Sequence, residues 1–356
     1  MIVLFLFVQI GMKIFMKNKK TTIHDIADEL GVTASTVSRA LQDHPRISDS
    51  TKEAVIETAE KLNYQPNNIA VALRKGKSNI LGVIVPTADR NFFASIIRGI
   101  EEVANDAGYN VIICQSYDSF EKEKNNIKAL LEAQVDGILA SIAMETVEHS
   151  HYEKVLKKGV PLIFYDRVNE SINASTVVID DFLGAYRVVE HLIEQGYRRI
   201  AHFAGQQHIN IYKERLRGYR QALRDHDLPI DENLIIESKL KIESGKNSTQ
   251  KMLSLSTPPD AIFSASDYAA MGAIQVLKER GVSIPDDTAV AGFSNESFTS
   301  LVDPPLTTVD QHTNRMGKFA AELFLEQVKA EEGNFITRKT VLKPELIVRP
   351  SSLKEK

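Results

Sequence analysis

The sequence predicts an N-terminal all-α helix-turn-helix domain followed by a two-lobed α/β core of doubly wound parallel sheets. Three observations carry this. Between Thr21 and Leu41 two short amphipathic segments are joined across a glycine. From Ile80 onward, continuous apolar runs alternate with helical segments, the pattern of parallel strands covered on both faces. Those runs are too many for one comfortable sheet, so two lobes are expected. A chain of 356 residues suits two or three domains with large cores. Its 43% hydrophobic and 25% charged residues are ordinary for a globular protein. A net charge of −4 excludes a wholly basic nucleic-acid binder and confines any DNA contact to one part of the chain.

Residues 1–16, MIVLFLFVQIGMKIFM, contain an uninterrupted apolar run of under ten residues, whereas a spanning helix needs about 20. The lysines follow that run instead of preceding it, and no small-residue cleavage site comes after. They are expected to be a mis-called start or a disordered leader, with Met12 or Met16 as the true initiator and a short membrane anchor as the alternative.

Residues 17–65 form the next unit. In TTIHDIADELGVTASTVSRAL, Ile23, Ile26, Ala27 and Leu30 fall at i, i+3, i+4 and i+7, one apolar stripe on a short helix. Gly31 can end it in the left-handed conformation, and Thr33 caps a second helix. There Val37, Ala40 and Leu41 face inward, while Ala34, Ser35, Ser38 and Arg39 face outward. This is the helix-turn-helix pattern, whose second helix enters a DNA major groove; a plain helical hairpin is the alternative. Ser50 with Glu53 fits a capping box for a third helix, which adds Val55, Ala59 and Leu62 to a small core around Ile26 and Val37.

Pro66 ends that unit, and residues 66–78 form a linker. Asn67 or Asn68 can cap a helix carrying Ile69, Ala72 and Leu73 on one face. Such a helix is far below the ~12–15 residues needed for stability alone. Leu73, followed by Arg74, Lys75 and Lys77, has the make-up of a minor-groove wedge flanked by phosphate contacts. A solvated basic linker is the plainer reading.

Residues 79–350 are the core, with 351–356 as a tail. The apolar runs read ILGVIV, NVIIC, GILA, LIFY, TVVI, IAHFA, LIIE, AIFSA and VAGF. Ligands of such sheets bind beyond the carboxyl ends of the strands. Phe92 and Phe93, Asp166 and Arg167, Asp180 and Asp181, Asp267, and Ser294 with Asn295 all follow strands, and Arg215 sits near the start of a later helix. Aromatic faces with carboxylates and a guanidinium suit a polyhydroxylated ligand. Taken singly, the aspartates could be helix caps, the phenylalanines core, and Arg215 the partner of a nearby carboxylate. His149 and His151 read as a solvated face. A lone cysteine, Cys114, forms no internal disulfide and suits a reducing cytoplasm. No nucleophile elbow, phosphate loop, dinucleotide fingerprint or metal-ligand spacing occurs, so neither an enzyme nor a cofactor or metal is expected.

Taken together, IHDIADELGVTASTVSRAL, NYQPNNIAVALRKGKS, NFFASIIRGIEEVANDAGYNV, RLRGYRQAL, SASDYAAMGAIQVLKERGVSIPDDTAVAGFSNE and PPLTTVDQ resemble the lactose-repressor (LacI/GalR) family of bacterial transcription regulators. The resemblance runs from about Thr22 to Pro350. It implies a DNA-binding domain, a hinge helix, and a core like periplasmic sugar-binding proteins. It also implies a repressor that is at least a homodimer, with tetramers open, on a pseudo-palindromic double-stranded operator. A small-molecule effector, often a carbohydrate, would bind between the lobes and alter DNA affinity. On this resemblance Thr33, Ala34, Ser35, Thr36, Ser38 and Arg39, with Asn67, Leu73 and Arg74, are the DNA-binding positions. Phe92, Phe93, Asp166, Arg215, Ser266, Asp267 and Ser294 are the effector-binding positions. Two positions depart from the family pattern. Ser294 stands where Asp is usual, and the small Ala34 can offer a base only an apolar contact. A transport-type sugar-binding protein sharing only the core is the alternative, but it would need an export signal and would have no use for Thr21–Lys75.

Overall fold

The structure, a computed structural model, describes residues 21–64, 77–330 and 335–354. The chain divides into two units, up to Ser78 and from Asn79 onward.

In the first unit, helix α1 spans Ile23–Leu30, α2 Ala34–Ala40 and α3 Asp49–Lys61. Thr22 and Asp25 cap α1 reciprocally, and Gly31 ends it at φ 64°. The Thr33 hydroxyl accepts from the Thr36 amide at 3.2 Å and starts α2. Ile26, Val37 and Val55 are fully buried, with Ala27, Ala40 and Ala59 closing the core around them. The third helix begins earlier than its sequence signal indicates. Ser48, not Ser50, is the cap and accepts from the Thr51 amide. Entry at this point lets Ile47 pack on the three-helix core. Asn67, Leu73 and Arg74 lie outside the described residues.

In the second unit, strands β1 Ile80–Val85, β2 Asn110–Gln115, β3 Gly137–Ala140, β4 Leu162–Tyr165, β5 Ser175–Ile179 and β11 Lys339–Leu342 form a six-stranded parallel sheet, ordered β11-β5-β4-β3-β1-β2. Side chains alternate across it. Val83, Val85, Leu139 and Ile163 join one core with α4 (Asn91–Asp106) and α11 (Thr313–Lys329). Ile84, Ile138 and Phe164 join another with α5 (Phe120–Glu132) and α6 (Ser150–Lys157). The second lobe has the parallel sheet β7-β6-β8-β9, built from Ile235–Glu237, Ile200–Ala204, Ala261–Ser264 and Ala289–Ala291. Its helices are α7 Asp181–Glu194, α8 Asn210–Asp225, α9 Ile242–Leu253 and α10 Asp267–Glu279. A short antiparallel pair, β10 Thr308–Asp310 with β12 Glu345–Ile347, completes it. The chain passes between lobes at 179–181, 310–313 and 342–345.

Sequence periodicity did not place α11, β10, β11 and β12. The helix carries a usable stripe, Met316, Ala320 and Phe324, all fully buried. The strands are three or four residues long, and β11 alternates between exposed and half-buried residues, so no apolar run marks it. α4 and α11 cross at close range through paired glycines. A Cβ on Gly99 would lie 2.1 Å from the Asn314 carbonyl oxygen, and one on Gly317 at 2.1 Å from that of Ile96.

His151 corrects the expectation of a solvated face. It is buried, and its Nε2 lies 2.8 Å from Oε1 of the fully buried Glu123, which also accepts from Thr146 Oγ1 at 2.8 Å. The apolar faces of Phe120 and Tyr152 flank its ring, which is why this residue turns inward. Among the described residues, no helix is long and apolar enough to cross a membrane.

Candidate functional site: a recognition helix and a cleft between two lobes

On α2, Val37 and Ala40 are fixed in the core, and this orients the opposite face. Ser35 and Arg39, four residues apart, are exposed, with Ala34, Thr36 and Ser38 half-buried beside them. Thr33 is exposed, but its hydroxyl is engaged with Thr36 Oγ1 at 2.9 Å and caps the helix. Ser38 Oγ accepts from the Gln42 amide nitrogen at 3.3 Å. Arg39 makes no ion pair among the described residues, and its guanidinium extends from the last turn of the helix. The geometry is that of a short, rigid presenter of small hydroxyls and one long cation.

The second site lies where loops at the carboxyl ends of strands from both lobes converge. One lobe supplies Arg90, Phe92, Phe93, Asp166 and Arg167; the other supplies Tyr212, Arg215, Ser266, Tyr268, Ser294, Glu296 and Gln311. Phe92 and Phe93 are both buried and meet edge to face at 5.0 Å. The Arg90 guanidinium reaches over the Tyr268 ring at 4.8 Å, bridging the lobes. Asp166 follows β4 in the left-handed region at φ 58° and accepts from Ser141 Oγ at 3.3 Å. Burial raises its carboxyl, against the pull of Arg167 and Arg215.

Arg215 is 2% exposed and heavily committed. Its Nε donates to Asp181 Oδ1 at 2.8 Å, Nη1 to the Ala265 carbonyl at 2.8 Å, and Nη2 to Gln311 Oε1 at 3.4 Å. The Phe293 ring lies 3.7 Å beneath the guanidinium. The carboxylate partner left open in the sequence is therefore Asp181, while Asp180 caps α7 through the Leu183 amide. Gln311 continues the chain of contacts, donating to Ser294 Oγ at 3.0 Å. Ser294, which the family resemblance sets at a usual Asp position, thus accepts a hydrogen bond from within the protein. Ser266 is half-buried on the cleft wall as the residue preceding α10.

Asp267 does not line the cleft. It is fully buried, with Oδ1 accepting from Thr308 Oγ1 at 2.7 Å and Oδ2 from the Glu296 amide at 2.9 Å. It ties the loop after β9 to β10. Burial pushes its carboxyl up to about 6. Glu296, two residues past Ser294, had no signal in the sequence. It is 4% exposed, and burial, then the nearby Asp267 charge, push it up to about 7, against Arg90 and the amides of Phe92 and Asn91 across the cleft. Gln311 was missed because it follows β10, a strand too short to register as one.

Two family models match this chain. One, described as bacterial regulatory proteins of the lacI family, matches residues 22–67. The other, described as periplasmic binding proteins and sugar binding domain of LacI family, matches residues 78–342, most of the chain. The protein belongs to the LacI family. Among LacI-family relatives, the HTH-type transcriptional regulator DegA of Bacillus subtilis (strain 168) is 34% identical over 94% of this chain and 98% of its own length. The HTH-type transcriptional repressor CytR of Escherichia coli (strain K12) is 33% identical over 95% and 99%. A lac repressor dimer bound to operator and the anti-inducer ONPF aligns with a TM-score of 0.81 at 26% identity, covering 94% of this chain and all of that one. A complex of the transcriptional regulator CelR with cellobiose aligns at 0.71 and 28%, covering 93% and 100%. The chain is accordingly a LacI-family DNA-binding transcriptional regulator, of a family that is not enzymatic.

Proposed function

We propose that this regulator is a cytoplasmic repressor whose operator affinity is set by a sugar or sugar-like polyol held between the two core lobes. The observation that carries this is the cleft itself, where loops of both sheets bring aromatic faces, two carboxyl groups and three guanidinium groups together. The core of a relative captured with cellobiose supports the carbohydrate class. The groups able to meet ligand hydroxyls are Asp166, Arg167, Ser266, Ser294 and Gln311, with Phe92 or Phe93 as the apolar wall. Arg215 acts mainly as a positioning residue, because Asp181, Ala265 and Gln311 already take most of its donors.

The cleft holds only about 30 Å³, room for about one water. A sugar therefore enters as the lobes part about the connections at 179–181, 310–313 and 342–345. A ligand that favours one separation shifts the population toward it and, through the linker at 66–78, alters the spacing of two DNA-binding domains. One helix-turn-helix reads few base pairs, so useful specificity needs a dimer on two half-sites. The exposed apolar side chains Ile112, Ile113 and Tyr117, on and beyond the edge strand β2, and Leu301 in the second lobe, support a homodimer. Arg39 and Ser35 read bases, Thr33, Ala34, Thr36 and Ser38 complete the contact, and Asn67, Leu73 and Arg74 engage DNA from the linker.

A thermal-shift screen of the full chain against neutral mono- and disaccharides tests the effector class. We expect at least one to raise Tm, with the rise abolished in Ser266→Trp, which fills the cleft. A full panel without a shift, or a shift retained in that variant, would overturn the reading.

A further inference from the structure

A second, larger cavity of about 610 Å³ lies beside the effector cleft, within the ~300–1,000 Å³ of ordinary ligand pockets. Its walls come from the loops after β3 and β4, the edge of β5 and β11, and the first turns of α7 and α8. Among the described residues, Arg167 alone lines both cavities. The Asp181–Arg215 ion pair spans the same partition, Asp181 facing the side cavity and Arg215 the cleft. Asn210 braces it, accepting from the Val168 amide at 3.0 Å and donating to the Asp166 carbonyl at 3.3 Å.

The hydrogen-bonding inventory of this side cavity is one-sided. Its carboxylates are engaged: Glu170 with Lys339, Glu214 with Arg217, Asp181 with Arg215, and Asp180 with the Leu183 amide. The groups with unused capacity are donors. Arg167, 3% exposed, gives Nη1 to Asp118 and to the Ile142 carbonyl, while its buried Nε has no partner. Nε is sealed from solvent, but Nη2 makes no hydrogen bond among the described residues, so the guanidinium keeps donor capacity beside the cavity. Lys213, on the exposed face of α8, has no carboxylate partner among the described residues. His149 is half-buried, and its side chain makes no hydrogen bond among the described residues. Burial, then His151, holds it below its ordinary value, so it is a neutral ring with one N–H at pH 7.

We propose that the side cavity is a second ligand site, taking a small anion of the phosphate-monoester or carboxylate class on Arg167, Lys213 and His149. Because Arg167 and the Asp181–Arg215 pair form the shared wall, an anion there changes the cleft directly and acts as a co-effector of lobe closure. The inference rests on the lobes forming an effector-binding core, but not on the effector being a neutral sugar.

Calorimetry on the full chain tests it with four probes: glucose, glucose 6-phosphate, glucuronate and inorganic phosphate. Binding of at least one anionic probe is expected, weakening at least about tenfold in Lys213→Glu and in Arg167→Lys, which keeps the charge toward Asp118 but removes the guanidinium's second arm. The phosphate and carboxylate arms separate the two sources of the anion. Whatever affinity glucose shows should be unchanged in Lys213→Glu, so failure of the side site is distinguishable from failure of the cleft reading. If no anionic probe binds wild type at millimolar concentration, or binding is the same in both variants, the side site does not exist as described.

Discussion

Arg215→Met removes the guanidinium that balances Asp181 while keeping an unbranched apolar stem over Phe293. In the native protein Nε and Nη2 both lie 2.8 Å from Asp181 Oδ1, and Asp181 is 4% exposed. Breaking a buried pair from one side strands the other charge and costs about 3–5 kcal/mol. Asp181 can limit this loss by taking up a proton. Burial pushes its carboxyl to about 7 even with Arg215 present, from an ordinary 3.8, and losing the cation raises it further. A carboxyl raised in the folded state binds its proton more tightly there than in the unfolded chain. The variant's stability therefore falls as pH rises from about 4 through the raised folded value, and the deficit is larger at pH 8 than at pH 5. Asp181→Asn in the same chain removes the stranded charge and should recover most of the loss. Urea denaturation of wild type, single and double variants at the two pH values reads all of this. A loss below about 1 kcal/mol, the size of an exposed pair, or no recovery in the double variant, would refute a structural role for the pair.

Three further outcomes are expected. Gly99→Ala drives a methyl into the Asn314 carbonyl across the α4–α11 crossing and should cost about 1–3 kcal/mol as overpacking, read as a lower urea midpoint with an unchanged slope. Glu296→Gln should flatten the pH dependence of stability. In wild type the raised carboxyl loses stability as pH climbs from about 4.5 to about 7, worth about 1–2 kcal/mol after allowance for solvent screening; equal pH 5 to pH 8 differences in the two proteins would count against it. Arg39→Ala should relax base preference at one position of each half-site by about 1–3 kcal/mol, measured by competition between operator variants; a uniform loss across all duplexes would make Arg39 a phosphate contact.

Much of this architecture was legible because its signals are local. The Thr33 cap, Gly31 and the stripe Ile26, Ala27, Val37, Ala40 define α1 and α2 without help from the rest of the chain. Buried parallel strands such as β3 and β4 read as unbroken apolar runs for the same reason. What escaped depends on distant partners. Strand β11 exists because β5 pairs with it from more than a hundred and fifty residues away, and Gln311 matters because Arg215 and Ser294 flank it. Asp267 and Asp181 show the same limit. Strand-end position marked both as polar and important, but only the fold reveals that one ties two loops together and the other balances Arg215.

The central claim is that a ligand between the lobes changes operator affinity. A duplex selected by the full chain from a random pool, fluorescently labelled, would be titrated with the protein with and without the saturating sugar found by thermal shift. The account predicts a change in Kd of about 5- to 150-fold, the usual range of allosteric coupling, and its loss in Ser266→Trp. Identical affinities with the ligand demonstrably bound would contradict it.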